Sequence, residues 1–184
     1  MAIPMTDKQL LRAEMRRARD AFVADTPCAL VMPDQLAAML VPGTIVAAYV
    51  PIGSEADTAP LIAAARAAGC RIALPYVIDR ATPLVFVPWD EDDALTDGPY
   101  RLRQPLLCDE RLAPDLVLTP LVAFDRALNR VGQGAGHYDR AFAEYPRATR
   151  VGVAWSVQEV ASIEPDAWDA PLHGIVTEQE WITR

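Results

Sequence analysis

Apolar residues recur along this chain with two different periods. Near the N-terminus Leu11, Met15, Ala18 and Phe22 fall three or four residues apart, so they share one face of a helix that should pack on a core. Residues 6–9, Thr-Asp-Lys-Gln, read as a capping box that opens this helix. Continuous apolar runs of strand length follow at 44–50, 71–75, 83–88, 115–120, 149–155 and 174–177. The run at 44–50 has no polar alternation, which predicts a strand buried on both faces. Between the first two runs, the Ala-rich stretch 59–68 reads as a helix with Gly69 as its C-cap. Strand, loop, helix and strand in that order predict a βαβ unit with a parallel sheet. A short helix is expected over 33–40, ended by Pro42-Gly43. Another is expected where Tyr138, Phe142 and Tyr145 recur at helical spacing until Pro146. The fold class is therefore α/β with a mostly parallel central sheet.

The polar stretches change little of this. Residues 89–98 carry five acids and read as a solvated loop, since consecutive carboxylates cannot all face one ion. Residues 98–105 read as irregular. Tyr100 there is either an exposed loop tyrosine or a stacking surface for a planar ligand. The chain has 184 residues, so one domain spanning 1–184 is expected. At 52% hydrophobic and 23% charged it reads as globular. A net charge of −8 argues against a basic nucleic-acid footprint, though a local basic site stays open. No apolar stretch approaches the roughly 20 residues of a membrane span. The N-terminal residues run into a charged helix and do not read as a signal peptide. Cys28, Cys70 and Cys108 are far apart and read as free thiols in a cytoplasmic protein.

Candidate chemistry concentrates in Arg130-Val-Gly-Gln-Gly-Ala-Gly-His-Tyr-Asp-Arg140. Gly132, Gly134 and Gly136 alternate, cations flank them, and a helix start follows. Glycine lets backbone N–H groups approach a ligand, and a helix N-terminus attracts phosphate. A glycine turn without a ligand is the alternative. Neither a Walker loop nor a dinucleotide fingerprint fits, because no Lys follows and the third glycine of the fingerprint would fall on His137. Asp139 suits a hard cation such as Mg2+. Lys8, Arg12, Arg16 and Arg19 form a stripe beside the apolar face of the first helix, either a solvated basic face or a phosphate clamp. Glu55 follows the first strand, either as a helix N-terminal acid or as a ligand contact at the carboxyl end of the sheet. Asp169 and His173 are further candidates near the C-terminus.

Together these motifs resemble the signature of the 5-formyltetrahydrofolate cyclo-ligase family, roughly P-x-x-A-F-D followed by R-L-G-x-G-x-G-Y-Y-D-R. The resemblance rests on residues 119–125 and 130–140, on Lys8 and Arg12, on residues 49–58 and on residues 168–178. It implies a three-layer α/β/α fold related to sugar-phosphate isomerases and CoA transferases. It also implies ATP- and Mg2+-dependent conversion of 5-formyltetrahydrofolate to 5,10-methenyltetrahydrofolate, with ATP and a reduced folate as small-molecule partners. By position, Lys8, Arg12, Arg130, Val131, Gly132, Gln133, Gly134, Ala135, Gly136, His137 and Tyr138 resemble the ATP site. Val50, Glu55 and Tyr100 resemble folate contacts, and Gln133 to His137 would line both ligands. Arg130 and Asp139 resemble the catalytic pair, with Asp139 as Mg2+ ligand. His173 stands where relatives offer an Asp, so Asp169, His173 or a water would supply a second metal contact. Val131 replaces a Leu and His137 a Tyr. A monomer is expected. A non-catalytic nucleotide- or folate-binding member, and an isomerase or transferase of the same fold, are the competing readings.

Overall fold

A computed structural model describes residues 7–26 and 29–184. Thr6 of the expected capping box and Cys28 lie outside the described residues. The first helix, α1, runs Asp7–Asp25, and the short α2 covers Asp34–Ala37. Strand β1 is Ile45–Ala47, α3 is Ala59–Ala67, β2 is Arg71–Tyr76 and β3 is Val85–Pro88. There follow β4 (Leu95–Asp97), β5 (Arg103–Pro105), β6 (Leu116–Pro120), β7 (Ala123–Phe124) and β8 (Arg130–Val131). The chain ends with α4 (His137–Glu144), β9 (Thr149–Val153), β10 (Gly174–Val176) and β11 (Trp181–Ile182).

Seven strands form one sheet in the order β11-β10-β9-β6-β1-β2-β3. The pairs β1–β2, β1–β6, β6–β9 and β9–β10 are parallel, and the two outer pairs, β2–β3 and β10–β11, are antiparallel. Alternate residues of the inner strands feed separate cores. Val46, Ile72, Leu116 and Val151 pack with Leu36 of α2 and with Leu61 and Ala65 of α3. Ala47, Ala73 and Val117 face the other way, with Phe86 and with Ala141 and Phe142 of α4. Burial on both faces explains why these strands read as continuous apolar runs. The apolar face of α1 docks as expected: Phe22 packs on the first of these cores, while Leu11 and Met15 pack around Ala123, Val131 and Ile163.

Several segments differ from their sequence pattern. The run 44–50 forms a strand only over Ile45–Ala47. Beyond it the backbone serves a turn, since the Tyr49 carbonyl accepts from Thr58 Oγ1 and Tyr49 OH donates to the Ala56 carbonyl, both at 2.8 Å. The helix expected over 33–40 is reduced to four residues. Segments 89–98 and 98–105 are not wholly irregular, because β4 and β5 pair as an antiparallel hairpin. Buried Gln104 anchors that hairpin to the sheet by accepting from the Val77 N–H at 3.0 Å. Strands β7, β8 and β11, two residues each, carry no periodicity long enough to be read.

Gly152, on the central strand β9, meets the second sheet face at close range. A Cβ there would lie 2.7 Å from Leu172 Cδ1 and 2.9 Å from Leu121 Cδ2. Gly152→Ala should therefore cost about 1–3 kcal/mol by overpacking, measured as a lower urea midpoint with an unchanged slope. An unchanged midpoint would mean that the leucines move aside freely.

Candidate active site

Strand order reverses between β1 and β6. From β1 the chain moves to β2 on one side; from β6 it moves to β9 and β10 on the other. The loops that leave the carboxyl ends of β1 and β6 therefore diverge, and such a point is where open α/β sheets bind ligands. A cleft of about 940 Å³ lies there, at the upper end of small-molecule sites. Its walls are the loop after β1, the glycine loop, one face of α1 and the β4–β5 hairpin.

The glycine loop is built by what precedes it. After β6 the chain turns through the hairpin β7–β8, pairing Phe124 with Arg130. Buried Asp125 organises the turn by accepting from the N–H groups of Ala127 and Asn129, each at 3.0 Å, and of Ile163 at 2.8 Å. Arg130 is thereby delivered to the cleft only 8% exposed. Its Nη2 donates to Asp139 Oδ1 at 2.5 Å, its guanidinium lies over Phe142 at 5.3 Å, and its buried Nε has no partner among the described residues. Gly134 and Gly136 have φ of +104° and +67°, which a side chain would strain. Gly136 is also the N-cap of α4 and supplies no side chain of its own, leaving the first-turn N–H groups at the cleft.

The cationic stripe of α1 turns into this cleft. Lys8, Arg12, Arg16 and Arg19 all line it, so the solvated-face reading does not describe them. Arg12 Nε donates to the Gly132 carbonyl at 2.8 Å, and Arg19 Nε to Ser54 Oγ at 2.9 Å. Lys8 Nζ sits 2.6 Å from Asp166 Oδ2 and 3.1 Å from Asp169 Oδ2. Partial burial works to lower the Lys8 ammonium, but these two carboxylates outweigh it and hold it above its ordinary value. Burial and the neighbouring Arg16 pull the Arg12 guanidinium down. Such crowding of cations favours an anionic ligand. With Arg80, Arg103 and Arg130, seven cations line the cleft against five acids, in a chain of net charge −8.

Glu55 occupies the facing wall, 8% exposed. It does not cap a helix: α3 begins four residues later, and Asp57 Oδ1 takes the Ala59 N–H at 2.9 Å. Glu55 Oε2 accepts from the Ile52 N–H and Oε1 from Gln133 Nε2, both at 3.0 Å. The buried phenols of Tyr49 and Tyr138 are raised by desolvation first and by Glu55 second. Val50 lines the same wall. Tyr100, 56% exposed and with φ +60°, presents its ring 6.1 Å from that of His137. His137 Nδ1 lies 3.2 Å from Arg140 Nη2. Burial, then Arg140 and Arg80, lower its pKa, so the ring is neutral near pH 7.

Of the metal candidates, Asp139 and Asp169 line the cleft and His173 does not. His173 Nδ1 accepts the Arg150 N–H at 2.9 Å, and its Nε2 lies 3.1 Å from Arg150 Nη2. Both ring nitrogens of His173 thus face Arg150, and the ring stands outside the cleft lining. Among the described residues no three His, Cys, Asp or Glu side chains form a preassembled metal cluster. Asp20, Ser54, Asp166, Arg80, Arg103 and the 73% exposed Trp168 also line the cleft without having been singled out as site residues in the sequence. Arg16 and Arg19 carried a signal, their helical spacing from Arg12. Arg80 and Arg103 carried none, because only the folded loops bring them to the cleft.

Comparison with known proteins gives a consistent likeness. The profile of the 5-formyltetrahydrofolate cyclo-ligase family matches residues 4–178. The 5-formyltetrahydrofolate cyclo-ligase of Escherichia coli strain K12 is 33% identical over 139 residues, covering 72% of this chain and 76% of its own. That of Mycolicibacterium smegmatis is 32% identical over 112 residues, covering 57% of this chain and 58% of its own. The solution structure of Aquifex aeolicus 5,10-methenyltetrahydrofolate synthetase superposes with a TM-score of 0.70 at 26% identity, over 97% of this chain and 93% of that one.

Both histidines of the chain, His137 and His173, have depressed values caused by burial first and neighbouring arginines second. The unfolded chain binds protons near the ordinary value of about 6.5 while the folded chain resists them. Their contribution to stability is therefore complete above that value and is lost as pH falls below it. Histidine ring resonances followed by NMR should titrate below 6.5 at both positions. A midpoint above it at His137 would contradict its cationic surroundings.

Proposed function

The chain belongs to the 5-formyltetrahydrofolate cyclo-ligase family and is a ligase of that type; we propose that its cleft holds ATP beside 5-formyltetrahydrofolate and converts them to 5,10-methenyltetrahydrofolate, ADP and phosphate. One observation carries this reading. The Gln133–Glu55 hydrogen bond brings the glycine loop, the candidate phosphate cradle, against the candidate folate contact in a single cleft.

The chemistry asks for two ligands in contact and for neutralised phosphate charge. A formyl amide is a poor electrophile and its oxygen a poor leaving group. Transfer of the γ-phosphoryl group to that oxygen breaks the bond to ADP and forms an imidate-like phosphate. N10 then attacks the formyl carbon, the ring closes, and the oxygen departs as phosphate with N10 losing its proton. Positioning and charge neutralisation supply most of the catalysis in phosphoryl transfer. In this reading Lys8, Arg12 and Arg130 bind phosphate oxygens, with the glycine-loop and α4 N–H groups beside them. Glu55 receives the pterin N–H groups, and Val50, Tyr100 and the neutral His137 pack on the folate. Hard oxygen donors are present for Mg2+, which typically needs only one or two carboxylates besides phosphate. Asp139 would hold it, with Asp169 or water as a second contact, and bound Mg2+ would add charge neutralisation on the phosphates. The non-catalytic reading rested on His173, which lies outside the lining, so it receives no further support. We also infer a cytoplasmic monomer of a single domain, with the isomerase/transferase-like three-layer fold. Its support is the pair of free thiols at Cys70 and Cys108 and the helices on both sheet faces.

Protein mixed with ATP, Mg2+ and 5-formyltetrahydrofolate should develop methenyl absorbance with one ADP per product. No absorbance at saturating substrates would sink the reading. Lys8→Ala or Arg12→Ala should raise the KM for ATP by about tenfold, the scale of one charge-assisted hydrogen bond. For Lys8→Ala the melting temperature should hardly move, because the Lys8 ion pairs are solvent-accessible. Glu55→Gln should raise the KM for folate and spare that for ATP; equal losses would return Glu55 to a structural role.

Asp139→Asn should nearly abolish turnover. It should also destabilise the fold by about 3–5 kcal/mol, because it leaves the charge of Arg130 buried without its partner. Kinetics at a temperature well below the variant's own melting point separate the two losses. Full activity there would remove Asp139 from the machinery.

A further inference from the structure

Arg16 follows Arg12 by one helical turn, yet it makes a different kind of contact. Its Nη2 and Nε both donate to Gln133 Oε1, at 2.5 and 3.2 Å. The other end of the same amide, Nε2, donates to Glu55 Oε1 at 3.0 Å. Chemistry permits one orientation only. A guanidinium has donors and no acceptor, and an ionised carboxylate has acceptors and no donor. Reversing the amide would set oxygen against oxygen at Glu55 and N–H against N–H at Arg16. Without Arg16 the amide has no such constraint at its outer end, and Gln133 is an exposed residue of a loop. The second oxygen of Glu55 is fixed by the Ile52 N–H at 3.0 Å, so the carboxylate is held from two sides. Each oxygen still has a lone pair for one further donor.

We propose that Arg16 is a positioning residue for the folate half of the cleft: by fixing the Gln133 amide it fixes the Glu55 carboxylate in the orientation that receives a pair of ring N–H donors. The inference rests on the folate reading of Glu55. It separates Arg16 from Lys8 and Arg12 on the same stripe, which serve the phosphates. It also gives the glycine loop a second task, since Gln133 stands between Gly132, whose carbonyl is held by Arg12, and Gly134 with its positive φ.

The test compares Arg16→Gln, Arg16→Lys, Gln133→Ala and the double variant Arg16→Gln/Gln133→Ala. KM for folate is measured at saturating ATP, KM for ATP at saturating folate, and melting temperature alongside. Arg16→Gln should raise the folate KM about tenfold, as expected for a lost hydrogen bond to a charged group, and leave the ATP KM in place. Arg16→Lys should recover most of that loss, because an ammonium also donates to Oε1. The double variant should bind folate no worse than Gln133→Ala, since both changes break one link. A rise in ATP KM with folate KM unchanged would make Arg16 a phosphate ligand and overturn the proposal, as would multiplying losses in the double variant. Calorimetric titration with 5-formyltetrahydrofolate decides the same point without turnover. If the unmodified protein binds it but forms no product, the ligase reading fails and the dissociation constants of the variants still judge Arg16. If it does not bind at all, both fall.

Discussion

The buried ion pair of Arg130 and Asp139 is the constraint on which the rest of the cleft depends. The two residues stand nine positions apart, at either end of the glycine loop, and their 2.5 Å contact closes that loop on itself. Both are largely shielded from water, with side-chain exposures of 6% and 19%. Burying two charges costs more than their attraction returns unless the geometry is good and the remaining polar atoms are served. Here the Arg130 plane is further supported by Phe142, which also lies under Arg150 at 5.6 Å. Arg130 Nε remains without a partner among the described residues. A buried donor left in that state is expensive, and a group held ready for an incoming acceptor accounts for it most simply. Between the pinned ends, Gly132 meets Arg12, and Gln133 meets both Arg16 and Glu55.

Charge distribution follows from the same arrangement. The chain is acidic overall, yet the cleft collects an excess of cations. Exposed acids such as those at 90–93 raise solubility and repel anions weakly through water, where a Debye length of about 8 Å limits their reach. Cations inside a cleft with low-dielectric walls act over shorter paths and are screened less. The carboxylates that enter the cleft are each already partnered: Asp139 with Arg130, Asp166 and Asp169 with Lys8, Glu55 with the Gln133 amide, and Asp20 with the Ser54 hydroxyl. An anion entering the cleft would compete with protein carboxylates at Lys8, whereas at Arg12 the carboxylates among the described residues, Asp169 and Asp166, act at a distance.

What the sequence made legible divides along physical lines. Inner strands and the longer helices were readable because burial on both faces leaves uninterrupted apolar runs, as at 71–75 and 115–120. The glycine loop was readable because φ values such as those of Gly134 and Gly136 admit few residues other than glycine, and a backbone that needs such angles writes them into the sequence. Two-residue strands were not, since β7 and β8 exist through the turn that Asp125 organises and not through any local pattern. The metal candidates were legible as a chemical type only. Asp139 suits a hard cation better than His173 does already in sequence, and the fold turns the first into the cleft and packs the second against Arg150. Arg80 and Arg103 reach the cleft from the loop after β2 and from β5, a convergence that no local spacing encodes.

Position at the reversal of strand order explains why the site's parts come from such distant segments. Loops leaving β1 and β6 diverge there, so the space between them has walls but no roof, and α1 supplies the missing side. Helix α1 is not part of the sheet; it is docked by Phe22, which meets Trp155 with ring centroids 6.2 Å apart, and by Leu11 and Met15. Its apolar face and its cationic stripe are thus two consequences of one helical period: docking the first onto the core swings the second over the glycine loop. The same rotation that buries Phe22 sets Arg12 against Gly132, Arg16 against Gln133 and Arg19 against Ser54. A one-residue shift in that pattern would turn every cation by about 100° about the helix axis, away from the loop, with the sheet and the glycine loop unchanged. The cationic face of the cleft is in this sense set by hydrophobic packing some distance from the ligands, and electrostatics only takes up the geometry that packing provides.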